Sequence, residues 1–190
     1  MTSLEVLEDD HEDEEAYQRV YEQAIRWLGQ RPYGTEELTR RLENKVPDED
    51  HVHIARVVDR CVSLGYLDDY EFALGRIRNR MISRGYGPAW VQMDLRSRGV
   101  DDTVVRSALR EVLAEVNLVE LASDVLKRRF SSAGSRFVLP SEREDAEKKP
   151  RMDRKEKKRR YDFLMRRGFD SDIVWTAMER SFGRDDDDVY

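Results

Sequence analysis

The sequence predicts an all-α protein, an elongated, curved array of three tandem three-helix repeats. Three observations carry this. Apolar residues recur at three- and four-residue spacing along most of the 190-residue chain, the period of a helix buried on one face. Two kinds of turn recur at fixed offsets. Arg31-Pro32-Tyr33-Gly34-Thr35 meets Arg84-Gly85-Tyr86-Gly87-Pro88 after a shift of 53 residues, and Arg98-Gly99-Val100-Asp101 meets Arg167-Gly168-Phe169-Asp170 after a shift of 69. Hydrophobic and charged residues each make up 39% of the chain, so the core is thin for the surface it carries.

Residues 1–14 read as an acidic, disordered tail. The first repeat, 15–65, opens with a helix whose buried stripe is Tyr17, Val20, Tyr21, Ala24, Ile25 and Leu28, ended by Gly29 and Pro32. Thr35 is expected to cap a short helix with Glu36 and Glu37 in its first turn and Leu38 and Leu42 inward. Pro47 breaks the chain, Asp48 or Asp50 caps, and Ile54, Val57, Val58 and Cys61 complete the unit.

The second repeat, 66–115, carries Ala73, Leu74, Ile77 and Met81, then the glycine turn that ends this helix. Pro88 opens a helix with Val91 and Leu95 inward, since its fixed φ suits a first turn. Gly99 stops it, and Asp101 or Asp102 caps a third helix with Val104, Val105, Ala108, Leu109 and Leu113.

The third repeat, 116–184, begins at Asn117 with Glu120 three residues on, a capping-box pattern. Its stripe is Leu118, Leu121, Ala122, Val125 and Leu126; an inserted loop at about 131–150 holds Pro140 and Pro150. A basic run from Arg151 to Arg160 then leads a helix through Leu164 to Gly168. The chain closes with Ile173, Val174, Ala177, Met178 and Phe182, and an acidic tail at 185–190.

The net charge is −6, which alone would argue against an anionic partner. The charge is segregated, however: residues 1–15 hold eight acids and no Lys or Arg, and Asp185–Asp188 add four more, leaving +6 for the remainder. Acidic ends of this kind either solubilise the chain or compete for its basic surface. The single cysteine excludes an intramolecular disulfide and fits a reducing compartment. No apolar run is long enough to span a membrane and the N-terminus is not a secretion signal, so a cytoplasmic protein is expected.

Chemistry is sparse. His51 and His53 stand two apart, off a common helix face, with no ligand cluster beside them. Gly85-Tyr86-Gly87 follows a helix and lacks the third glycine of a dinucleotide fingerprint. No nucleophile or carboxylate pair has a catalytic setting, so neither an enzyme nor a cofactor is expected. What remains is arginine. Arg76, Arg80 and Arg84 fall at i, i+4 and i+8, and Arg96, Arg98, Arg106 and Arg110 extend the basic character. Arg154, Lys155, Lys158 and Arg159 add a second group. Two readings stay open: stems covering a core edge with heads in water, or a surface for carboxylates and phosphates. Tyr66, Tyr86 and Trp90 read as packing residues at a repeat boundary.

Leu64-Gly65-Tyr66-Leu67-Asp68-Asp69 with Phe72-Ala73, then Arg84-Gly85-Tyr86-Gly87-Pro88, then Arg98-Gly99-Val100, resembles the bacterial RecX family over about residues 17–183. The resemblance implies an all-α array of three-helix repeats without catalytic residues. It also implies a regulator, mostly an inhibitor, of the RecA recombinase filament, damping its ATPase, strand-exchange and co-protease activities in DNA repair and the SOS response. Partners implied are the RecA filament and single- or double-stranded DNA; a monomer is expected, with self-association through the acidic and basic segments left open. The alternatives are a direct DNA-binding protein without a recombinase partner and a helical-repeat protein–protein adaptor.

Overall fold

The computed structural model describes residues 3–130 and 153–182, and every described element is helical. In chain order these are α1 (Ser3–Leu28), α2 (Thr35–Glu43), a 3-10 segment (Asp48–His53), α3 (Ile54–Ser63), α4 (Asp69–Arg78), a π-helical segment (Asn79–Ser83), α5 (Pro88–Ser97), α6 (Asp102–Glu115), α7 (Leu118–Phe130), α8 (Arg154–Arg166) and α9 (Ser171–Phe182). The expected loop at about 131–150 and the acidic tail at 185–190 lie outside the described residues. The described residues group into two compact units: those up to Gly75 with Leu95–Ala108, and Arg76–Asp94 with those from Leu109 onward.

The core of the first unit is built from α1, α2 and α3. Val20, Ala24, Trp27, Tyr33, Leu38, Leu42, Val57 and Cys61 are buried together, with Tyr17, Tyr21, Ile25 and Leu28 packed at the margin. Trp27 belongs to this core although the stripe expected for α1 omits it; the buried face is rotated toward that side. Fully burying a side chain such as Leu38 or Leu42 contributes roughly 1.5–3 kcal/mol.

Three local details depart from expectation. Helix α1 already runs from Ser3, where the sequence reads as a disordered acidic tail. Acids near a helix N-terminus are favoured by the dipole, and further along Asp13 and Glu14 reach His53 and Arg56. Thr35 does not cap α2: it is the first helical residue, and its N–H donates to Asp69 Oδ1 at 2.7 Å, a carboxylate brought in from α4. Asp50 is not an exposed cap either. It is 1% exposed and accepts from Arg19 Nη2 at 2.9 Å and Nε at 3.3 Å.

Other caps match their sequence pattern. Asp101 Oδ1 accepts from the Thr103 N–H at 2.7 Å, and Asn117 Oδ1 accepts from the N–H groups of Val119 and Glu120 at 3.0 and 3.1 Å.

The second unit packs α7 against α8 and α9 around Ala122, Val125, Leu126, Leu164, Phe169, Val174, Ala177 and Met178. Its turns are joined backbone to backbone. The Gly87 N–H donates to the Arg167 carbonyl at 2.7 Å and the Ala89 N–H to the Gly168 carbonyl at 3.2 Å. Donors left open at the start of α5 are thereby satisfied by acceptors left open at the end of α8. A Cβ on Gly87 would lie 2.3 Å from the Gly168 carbonyl oxygen, and Gly168 itself has φ +83°. Only glycine permits that approach on both sides.

Candidate interaction surface

The even spacing of Arg76, Arg80 and Arg84 does not survive as one stripe. The π-helical segment Asn79–Ser83 contains Arg80 and lies between Arg76 and Arg84, and its wider turn makes a four-residue step fall short of a full turn. The closing turn shows the extra residue. The Tyr86 N–H reaches back to the Arg80 carbonyl, six residues, whereas the corresponding Val100 and Phe169 N–H groups reach back five, to Leu95 and Leu164.

The three arginines therefore have different fates. Arg76 closes on Asp94, Nη2 lying 3.0 Å from Oδ1 and Nε also donating, with the two side chains 16% and 13% exposed. It is a structural pair, not a free contact group. Arg80 lies over the Trp90 ring, 5.4 Å from its centroid, while Arg84 is exposed.

The remaining candidates of the middle repeat are also split. Arg98 is committed to Glu37 and Arg96 to Asp102. Arg106 and Arg110 are exposed on α6, Arg106 in the first unit and Arg110 in the second. Arg154, Lys155 and Lys158 are exposed on α8, and Arg159 pairs with Glu156 at 3.6 Å while lying 5.5 Å from the Phe130 ring centroid.

Arginines outside the pattern picked out by sequence complete a surface in the second unit. Arg84, Arg128, Arg129 and Arg167 line an open recess of about 240 Å³ over Val125 and Phe163. Arg167 is the organiser. Its Nη1 donates to the carbonyls of Arg84 at 2.7 Å and Gly85 at 3.1 Å, and its guanidinium lies 5.0 Å from the Tyr86 centroid and 4.8 Å from that of Phe163. Tyr86 in turn stacks on Trp90 at 4.0 Å. Phe130, edge-on to Phe163 at 5.5 Å, carries Arg160 as well as Arg159. Each cation–ring contact of this kind contributes on the order of 0.5–1 kcal/mol at a solvated site.

A signal for Arg167 exists in the sequence: it is the counterpart of Arg98 at the 69-residue shift. Arg128 and Arg129 close the last turn of α7, where basic residues ordinarily just complement the dipole, so nothing singles them out. Tyr86 and Trp90 pack as expected, but Tyr66 is 54% exposed and is not a boundary packing residue.

The first unit has a larger recess, about 590 Å³, among Tyr17, Tyr21, Arg56, Asp59 and Arg60, with charges of both signs. Among the described residues no group of three or more His, Cys, Asp and Glu is placed to hold a metal ion, and no helix is long and apolar enough to cross a membrane. Cys61 is buried in the first core, and burial pushes its thiol up, so it stays neutral.

These features define an all-α protein of three-helix units whose recognisable surface chemistry is arginine set among aromatic rings. Comparison with known proteins agrees. The profile of the second three-helix domain of RecX matches residues 68–109, and that of the third matches residues 146–178. The regulatory protein RecX of Halorhodospira halophila is 33% identical over 162 residues, covering 85% of this chain and 88% of its own. That of Syntrophotalea carbinolica is 30% identical over 157 residues, covering 82% and 92%. The crystal structure of RecX from Lactobacillus salivarius shares the fold with a TM-score of 0.63 at 18% identity, covering 88% of this chain and 97% of its own. The chain belongs to the RecX family.

Proposed function

We propose that this chain is a cytoplasmic regulatory protein that binds the RecA recombinase on its DNA filament and inhibits its ATPase, strand-exchange and co-protease activities in DNA repair and the SOS response. The observation that carries the reading is membership of the family, whose members are named regulatory proteins and not enzymes. The cationic recess supports a role in binding rather than catalysis: arginine forks suit carboxylate and phosphate oxygens, and no nucleophile or general base stands among the lining residues. A binder that prefers one filament state shifts the equilibrium only by its differential affinity for that state.

DNA-dependent ATP hydrolysis by the cognate RecA, titrated with this protein at two salt concentrations, tests the proposal. Substoichiometric loss of hydrolysis, weaker at the higher salt, is the expected result. No effect at stoichiometric excess of folded protein would sink it. Salt-sensitive retention on bare DNA without any effect on the recombinase would leave a plain DNA binder instead.

A further inference from the structure

The chain contains an internal control for its own basic recess. The shift of 53 residues that carries Arg31 onto Arg84 also carries Tyr33 onto Tyr86, Gly34 onto Gly87 and Glu37 onto Trp90, and the shift of 69 carries Arg98 onto Arg167. In the first unit both arginines hold one carboxylate. Arg31 Nη2 and Nη1 lie 3.1 and 3.3 Å from the two oxygens of Glu37, and Arg98 Nη1 donates to the same carboxylate. Burial raises the Glu37 pKa, but the hydrogen bond from Arg31 and the charges of Arg98 and Arg31 outweigh it, and the carboxyl stays below its ordinary range.

In the second unit the corresponding arginines meet again, with Arg167 bonded to the backbone oxygen of Arg84. Among the described residues the carboxylate has no counterpart lining the recess. Trp90 occupies its sequence position and is turned onto Tyr86, while Arg128 and Arg129 add two more cations.

We propose that the recess is a seat for a carboxylate supplied from outside: a Glu or Asp side chain of an acidic segment on a partner protein takes the place that Glu37 fills internally. The template is itself a carboxylate shared by two guanidinium groups, which is the geometry arginine forks recognise best. The floor of Val125 and Phe163 suits the methylene groups of an acidic side chain. A phosphodiester strand would instead call for basic groups repeated along a track. This deepens the proposed function, and rests on it only for the identity of the partner.

The test uses the full chain and a fluorescein-labelled hexaglutamate peptide, followed by anisotropy at low salt. Arg84, Arg128 and Arg129 are exposed, so the variant R84Q/R128Q/R129Q is expected to keep its melting temperature. Its peptide affinity falls about tenfold or more. A charge-matched variant at exposed sites elsewhere, R26Q/K45Q/R60Q, retains most of the affinity. Trp90→Glu, which restores the internal carboxylate, also expels the peptide, whereas Trp90→Gln does not. Equal losses in the two triple variants, or no binding by the wild-type chain, would overturn the proposal. So would a labelled oligothymidylate that displaces the peptide and is lost through the same three arginines, since the seat would then take phosphate. Peptide binding that follows these rules in a protein with no effect on RecA hydrolysis would remove the recombinase and leave the seat.

Discussion

The guanidinium of Arg76 is closed on the carboxylate of Asp94, and neither side chain is more than 16% exposed. This pairing takes Arg76 out of the set of groups free to meet a partner, although its position in the sequence matches that of Arg80 and Arg84.

Arg76→Ala should therefore act on stability. It removes the guanidinium from a largely buried Asp94, and a loss of about 2–3 kcal/mol is expected, somewhat below that for a fully buried pair. Urea unfolding measures it, and R76A/D94A should cost less than the sum of the two single changes. Arg80→Gln with Arg84→Gln should cost no more than about 1 kcal/mol, the worth of the Arg80–Trp90 contact. Any loss of regulation in that double variant then reports contact and not folding.

Glycines should respond in opposite directions. Gly87→Ala drives a methyl to 2.3 Å from the Gly168 carbonyl oxygen, and Gly168→Ala meets the Trp90 backbone nitrogen at the same distance with φ +83°. Each is expected to cost more than about 2 kcal/mol. Gly75, on α4, has open space around its Cβ position, and Gly75→Ala should stabilise by up to about 1 kcal/mol. Thermal melts of the three variants check the signs.

Helix α2 borrows its cap. Asp69→Ala removes the carboxylate from the Thr35 N–H and should cost about 1 kcal/mol, the ordinary worth of an N-cap. Thr35→Val keeps that N–H and should change little. The reverse ranking would show that the threonine is the cap after all.

Acid should weaken the first unit through Glu37. Its folded pKa is depressed: burial opposes ionisation, but the Arg31 hydrogen bond and the Arg98 and Arg31 charges prevail. The stability it contributes is thus fully present above the unfolded carboxyl pKa and is lost as pH falls through the lower folded value. Glu37→Gln should be less stable than the parent near neutrality, and the gap between their melting temperatures should close on acidification. A gap that stays constant with pH would mean that the shift is not realised.

Much of the fold is legible in the order of residues alone. The stripes around Val20, Leu38, Val57, Val91, Leu126 and Val174 predict buried helix faces, and all six are 5% exposed or less. Asp101 and Asn117 are readable as caps because an N-cap bonds to N–H groups only two or three residues away. The repeat is readable because its turns recur in spelling. Asp69 capping α2 is not, since the bond joins residues 34 apart in sequence.

The surface divides along the same line. By itself the sequence determined the helices, their buried faces, the family and an arginine-rich character, because periodicity, local capping and composition are properties of neighbours along the chain. Only the tertiary structure decided which arginines are spent and which are available. It paired Arg76 with Asp94 and Arg98 with Glu37, broke the even spacing with a π-helical segment, and gathered Arg84, Arg128, Arg129 and Arg167 around one recess. Whether a charge is neutralised depends on what stands within a few ångströms of it, and that distance is set by packing between helices rather than by position along one.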